Sequence, residues 1–275
     1  MRPGRVRCAT ALAAVALVPA AVAAPPAPDA PIPRDPVLLA QALTGTTSDL
    51  RGEIAKWTDK TTPPSRDVTL YSLHQQRIYR LLARDKLLAD RTLVRLPPPL
   101  AAASRDFLLA HRGLYRLTPP IGDSKIKVGP ARPAGVLLGY YREAHRRFRV
   151  QWNVLAAVNF VESKFGKLRS ASAAGAQGPM QFMPATWRQY GLGGNVHDAR
   201  DAILGAANYL GASGAPRNLR RALYAYNHSV AYVDAVLRYA RRIGSDRMTF
   251  FALYNWQVFV KTTSGDRRVT GPGLP

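Results

Sequence analysis

One cysteine occurs in 275 residues, and it is Cys8, near the start of the chain. A single thiol builds no disulfide framework and no thiolate metal site. Cys8 also precedes the apolar stretch beside it, the wrong side for a lipid-anchor cysteine. Histidine is sparse, and His74, His111, His145, His197 and His228 form no H-E-x-x-H or similar cluster. No metal and no other cofactor is therefore expected. Acidic residues are few, 17 against 39 lysines and arginines, for a formal charge of +22. That imbalance calls for a polyanionic partner: a nucleic acid, an anionic membrane face or an acidic cell wall. There is no internal repeat, and nothing after the first two dozen residues is apolar for long enough to span a membrane.

The opening residues read as an address. Met1-Arg2-Pro3-Gly4-Arg5-Val6-Arg7 is a positive n-region, and Ala9 to Ala24 is apolar with small residues at its end. This is the layout of a secretory signal peptide over residues 1–23, cut after Ala21-Val22-Ala23. An uncleaved anchor is the rival reading, but the stretch is short for a span and contains Pro19. Export places the protein in the cell wall, periplasm or extracellular space and favours wall polymers over nucleic acid. Loss of Arg2, Arg5 and Arg7 with the leader takes the charge from +22 to +19, and no integral span remains.

Residues 24–36 form a proline-rich linker, and 37–118 carry helical patterning without a catalytic signature. In "LYSLHQQRIYRLLARDKLLADRTLV", Leu70, Leu73, Ile78, Leu81, Leu82, Leu87 and Leu88 recur at helical intervals. Pro97-Pro98-Pro99 breaks that pattern before "LAAASRDFLLAHRGLY" resumes it, and residues 119–133 form a second linker. Helices are expected at 134–148, 152–164, 185–190, 199–212, 218–226 and 229–242. Residues 246–275 form an extension whose "NWQVFVKTTSGDRRVTG" alternates around Ser264-Gly265-Asp266, the pattern of a short hairpin.

Chemistry concentrates in the region 134–245. "NFVESKFG" ends an apolar helix with Glu162. At roughly 100° per residue, positions 151, 155, 158 and 162 share one stripe, so Leu155 and Val158 lie on the face of Glu162. Burial there raises a carboxyl pKa, as a general acid requires. A solvated helix end with Lys164 beside it is the plainer alternative. After Gly166, "SASAAGAQGPMQFMPATW" supplies glycines and small residues that let backbone approach a ligand. Gln181 and Phe182 offer an amide and a ring suited to sugars. Core packing is the competing role for Met180, Phe182 and Met183, and the preferred one for Met183. In "ALYAYNHSVAYV", Tyr226 and Asn227 close a helix, where Asn227 suits a C-terminal stop and Tyr226 a core aromatic.

Taken in order, Glu162-Ser163, the segment Gly175 to Trp187 and Ala225-Tyr226-Asn227 resemble the catalytic domain of the soluble lytic transglycosylases, lysozyme-like enzymes of bacterial peptidoglycan. "NVHDARDAILGAANYL" is similar to the family's segment after the glycine loop. The resemblance covers roughly residues 134 to 243. It implies a mainly α, lysozyme-like fold preceded by a helical region. It assigns Glu162 as the single catalytic acid/base and Ser163 as a positioner of the carboxyl or the sugar. Met180 and Gln181 are placed beside the cleft, and Tyr226 and Asn227 face the scissile bond; Phe182 is added as a substrate contact on its own ring chemistry, not by the resemblance. Pro179 stands where leucine is common, and His228 where a small residue is common; both bear on the shape of the cleft.

The implied reaction cleaves the β-1,4 bond between N-acetylmuramic acid and N-acetylglucosamine. One carboxyl protonates the glycosidic oxygen and then takes the proton of the muramic 6-hydroxyl, which closes to a 1,6-anhydro end. Most glycosidases need two carboxylates, about 5–5.5 Å apart when retaining and about 6.5–9.5 Å when inverting. Asp198, Asp201 and Asp234 are the candidates for a second, and capping or surface roles suit all three. A hydrolysing lysozyme-type muramidase on the same fold is the nearest rival, and a non-catalytic wall-binding protein another. Ser124-Lys125-Ile126-Lys127 matches S-x-x-K, but it sits in a linker without the partner motifs of penicillin-binding proteins. "YYREAHRRFR" at 140–149 puts Arg142, Arg146 and Arg149 at helical spacing, a solvated face unaccompanied by any nucleic-acid motif. The expected partners are glycan strands and, through the basic surface, anionic wall polymers.

Overall fold

The computed structural model describes residues 24–121 and 126–274. The leader at 1–23, and Ser124 and Lys125 of the S-x-x-K stretch, lie outside the described residues. The fold is mainly helical. Four helices come first: α1 (Pro36–Lys56), α2 (Arg66–Arg84), α3 (Lys86–Leu93) and α4 (Pro98–Leu117). Seven follow: α5 (Ala134–Phe148), α6 (Trp152–Ser163), α7 (Pro184–Tyr190), α8 (Ala199–Ala212), α9 (Leu219–Tyr226), α10 (Val230–Ser245) and α11 (Arg247–Asn255). An antiparallel hairpin of β1 (Phe259–Thr262) and β2 (Gly265–Arg268) closes the described chain.

Local chemistry sets the boundaries. Asp35 caps α1 by accepting from the Val37 and Leu38 amides at 2.9 and 3.0 Å, with Pro36 at the first helical position. Ser65, Asp85, Asp198, Asn218 and Ser229 cap α2, α3, α8, α9 and α10 in the same manner. Asp246 ends α10 and caps α11 through the Met248 amide, so a one-residue break separates two helices. The sequence gives no expectation of α11, because "RMTFFALYN" carries neither a glycine nor a proline boundary. The hairpin turn is Thr263-Ser264, and Gly265 opens β2 at φ +123°, one residue earlier than the turn read from sequence.

The helices before and after the 119–133 stretch share one continuous core. Helix α6 lies at its centre, with residues 154–160 all buried, so its apolar surface wraps the whole helix rather than one stripe. Asp106 of α4 is buried and takes three arginines of α10, Arg238, Arg241 and Arg242. Phe250 of α11 meets the rings of Tyr141, Trp152 and Phe165 at 6.2, 6.2 and 5.4 Å.

The hairpin is bound to the first four helices. Arg80 and Arg84 of α2 both pair with Asp266, and the Arg80 guanidinium covers the Phe259 ring at 4.2 Å. The buried amide of Gln76 imitates a strand: its Nε2 donates to the Gln257 carbonyl at 2.9 Å, and its Oε1 accepts the Gln257 amide at 2.7 Å. Lys261 Nζ donates to the Thr118 and Tyr115 carbonyls at the end of α4, at 2.9 and 3.3 Å.

Candidate active site

The site starts where α6 stops. Its C-terminus does not wait for Gly166: Lys164 and Phe165 already adopt φ +53° and +62°, ahead of Gly166 at +83°. Two non-glycine residues in the left-handed region cost about 1–2 kcal/mol each. Phe165 is held there by burial, packed at 5.6 Å against Phe160 and 5.4 Å against Phe250. The bend ends the helix at Ser163 and leaves Glu162 on its last turn, facing a cavity of about 370 Å³.

Glu162 is only partly accessible, and burial pushes its carboxyl up to about 7, against the lowering influence of a Tyr232 hydrogen bond and the Lys164 charge. The Tyr232 hydroxyl donates to Oε1 at 2.6 Å. Burial, with the Glu162 charge second, keeps the Tyr232 phenol well above its usual range, so it remains a donor. Tyr232 is a functional residue that the sequence does not single out. It sits three residues after the Ser229 cap of α10, and only tertiary packing brings it to the end of α6.

Two partly buried lysines complete the electrostatics. Burial, then Arg80, lowers Lys164 to about 8, while Glu162 acts to raise it. Burial, then Lys164, lowers Lys167 to about 7, and its ammonium donates to the Tyr254 and Trp256 carbonyls at 2.6 and 2.8 Å. His111 also lines the cavity; burial, with Arg80 and Lys164 beside it, drives it down to about 3, so its ring is neutral.

The glycine loop is clamped from two sides. Ser163 is buried; its Oγ donates to the Pro179 carbonyl and accepts the Gly166 amide at 2.8 Å. Tyr226 donates to the next carbonyl, Met180 O, at 2.7 Å. Between them Gln177 and Phe182 exchange both backbone hydrogen bonds at 2.9 Å around a tight turn. That turn requires Gly178, at φ +73°, because a Cβ there would overlap the Val196 carbonyl oxygen.

The clamp revises several expectations. Met180 is fully buried and Phe182 is 2% exposed, so neither side chain presents a surface for a sugar. The Phe182 ring instead packs at 5.1 Å from Trp187 and 5.8 Å from Tyr226. Met183, expected in the core, is exposed at the N-terminus of α7, since the two-residue period of the turn alternates inside and outside. Gln181 folds its amide onto the Gly178 carbonyl at 2.9 Å. Asn227 ends α9 with an extended backbone, φ −146°, rather than a left-handed stop, and its exposed side chain lines the cavity. His228 is exposed and lies 5.4 Å from the Tyr224 ring.

Asp198 and Asp201 are engaged in structure: Asp198 caps α8, and Asp201 accepts the Asn195 amide at 2.9 Å. Asp234 pairs with Arg220 at 2.9 Å. The carboxylate that shares the cavity with Glu162 is Asp266, which the sequence shows only as a turn residue. Burial raises it, but Arg80 and Arg84 outweigh that and hold it below the usual carboxylate range. Among the described residues no group of three or more His, Cys, Asp or Glu is placed to hold a metal, and no helix is long and apolar enough to cross a membrane.

Residues 139–248 match the family described as Transglycosylase SLT domain. The chain is similar to "Membrane-bound lytic murein transglycosylase F" of Thiobacillus denitrificans, 29% identical over 115 residues. That alignment covers 39% of this chain and 24% of the relative, so the chain spans about a quarter of that protein's length. No solved structure matches.

Proposed function

We propose, from the match of residues 139–248 to the Transglycosylase SLT domain family, that the protein is an exported peptidoglycan lytic transglycosylase with Glu162 as its acid/base. The observation that carries this reading is the partly buried Glu162 carboxyl, raised to about 7 and hydrogen-bonded at 2.6 Å by Tyr232 beside an open cavity. Such a group holds a proton near neutral pH and releases it to a leaving oxygen.

In this mechanism Glu162 protonates the glycosidic oxygen between N-acetylmuramic acid and N-acetylglucosamine. The C1–O bond breaks and positive charge develops at the anomeric carbon. The Glu162 carboxylate, stabilised by the Tyr232 hydroxyl and the Lys164 ammonium, then accepts the proton of the 6-hydroxyl. That oxygen bonds to the anomeric carbon and gives the 1,6-anhydro end, with the acid restored. No second carboxylate takes part, because Asp266 is held by two arginines. Asn227, which lines the cavity with no side-chain hydrogen bond among the described residues, is the best placed of the assigned side chains to bond a sugar. Ser163, Met180 and Tyr226 act by fixing the loop, and Phe182 by packing behind it. Gln181 would need to turn its amide outward to meet substrate.

Digestion of purified peptidoglycan by wild type and Glu162→Gln, with mass spectrometry of the products, tests the reading. Anhydro ends released by wild type and not by the variant are expected. Ends that have gained water would make the protein a muramidase, and undiminished release by Glu162→Gln would overturn the assignment. Export by a leader cut after Ala23 predicts that the mature protein outside the cytoplasm begins at Ala24.

A further inference from the structure

The cavity beside Glu162 is closed largely by residues outside the matched 139–248 segment. Helix α2 contributes Arg80, α4 contributes His111 and Tyr115, and the hairpin contributes Lys261 and Asp266. This wall therefore belongs to the surrounding chain rather than to the SLT segment, and its chemistry is lopsided. Among the described residues three cations, Arg80, Lys164 and Lys261, line the cavity with one carboxylate, Asp266, apart from the acid itself. Asp266 already compensates Arg80.

Neither lysine forms an ion pair among the described residues: Lys164 has only the acid Glu162 near it, and Lys261 stands opposite Asp266, which is already held by Arg80 and Arg84. Lys164 is lodged over the Phe160 ring at 4.2 Å, and its ammonium has one acceptor, the Phe160 carbonyl at 3.0 Å. An ammonium has three hydrogens to donate, and leaving them unused away from water is costly. Lys261 spends two donors on the Tyr115 and Thr118 carbonyls and keeps one. The His111 ring lines the same cavity, stacked at 5.9 Å on Tyr115 and free of any hydrogen bond among the described residues. A neutral acetamido sugar would satisfy none of this charge. A carboxylate would, by a charge-assisted hydrogen bond from each ammonium.

We propose that this cavity is a subsite for a carboxylate carried by the glycan strand, bound by Lys164 and Lys261 with His111 beside them. The inference rests on the reading of Glu162 as the acid of a glycan-cleaving site. Two sources share the chemistry: the lactyl carboxylate of a peptide-free muramic residue, and the carboxylates of its peptide stem. The subsite would rank strands by charge at a position next to the bond cleaved.

The test compares kcat/KM of the full chain on four soluble strand preparations: peptide-free and peptide-bearing, each with its carboxylates free or converted to carboxamides. Conversion to the carboxamide is expected to lower kcat/KM about tenfold, mainly through KM, as when a charge-assisted hydrogen bond is lost. The pair that shows the larger drop identifies the source. In Lys164→Met and Lys261→Met the carboxylate-to-carboxamide ratio is expected to approach one, whatever the overall rate of either variant. Equal kcat/KM for carboxylate and carboxamide strands in wild type would overturn the proposal and leave water as the partner of both lysines. Equilibrium binding to Glu162→Gln reads the same ratio without turnover. A strand preference seen there without cleavage by wild type would support the subsite and sink the enzymatic reading instead.

Discussion

Tyr232 and Glu162 lie 70 residues apart and meet at 2.6 Å, phenol donating to carboxyl. Helix α10 thereby sets the acidity of a group on α6. Burial raises the Glu162 pKa, and this bond is the larger of two influences that lower it, ahead of the Lys164 charge. Tyr232→Phe removes that larger influence, so the Glu162 pKa moves further up. The alkaline limb of the pH–rate profile is expected to shift upward with it. The carboxylate formed after protonation loses a charge-assisted partner, and kcat is expected to fall about tenfold. An unshifted profile would show that the bond does not form in the working enzyme.

Glu162→Gln separates activity from stability. Release of fragments is expected to fall at least about a thousandfold, since the acid and base are one group. Stability should move the other way. The carboxyl titrates near 4.5 when unfolded and about 7 when folded, so wild type loses folding free energy as pH rises from 4.5 to 7 and no more above that. The amide escapes this loss. Its folding free energy should match wild type near pH 4 and exceed it at pH 8 by about 2 kcal/mol after discounting for partial exposure, with a higher melting temperature to show it. Thermal melts at the two pH values check it.

The loop clamp gives a third expectation. Ser163→Ala leaves the Pro179 carbonyl and the Gly166 amide without partners in a buried place, at a cost of about 2 kcal/mol. Gly178→Ala is expected to cost more than about 3 kcal/mol, because backbone rather than a side chain blocks the new methyl group. Urea titrations rank the two, and a smaller loss for Gly178→Ala would contradict the tight turn.

Much of this was legible beforehand. The helices from 134 to 245 announce themselves through apolar periodicity, capping by Asp198 and the break at Gly166, and each lies within a few residues of its expected bounds. The positions of Glu162, Ser163 and Tyr226 around one loop follow from ordered motifs. Burial of Phe182 and exposure of Met183 did not, since a tight turn alternates its side chains in a way that composition does not encode. Tyr232, Lys164, His111 and Asp266 were beyond reach for a different reason. Lys164 stands two residues from Glu162 yet reads as a solvated helix end, and the other three reach the site only through packing between elements far apart in sequence.

Residues 24–36, 37–118, 119–133, 134–245 and 246–275 read from sequence as linker, region, linker, domain and extension. The shared core argues that they work as one folding unit. Asp106 supplies a test: Asp106→Ala strands three arginines of α10 at the α4 contact, at about 2–3 kcal/mol, reduced from the fully buried case because those arginines are partly exposed. A fragment of residues 134–245 lacks α4, α2 and α11 and is expected to lose native near-ultraviolet circular dichroism. A fragment with an intact cooperative melt would restore the modular reading.

The Gln76–Gln257 amide pair and the Arg80–Asp266–Arg84 bridge join segments 181 to 186 residues apart in the chain. A growing chain displays Glu162 and its glycine loop long before β2 exists to complete the cavity. Nor can a protease that removes the hairpin leave the site whole. For a protein proposed to cut the wall that contains its own cell, the cavity beside Glu162 is whole only once the hairpin has docked on α2.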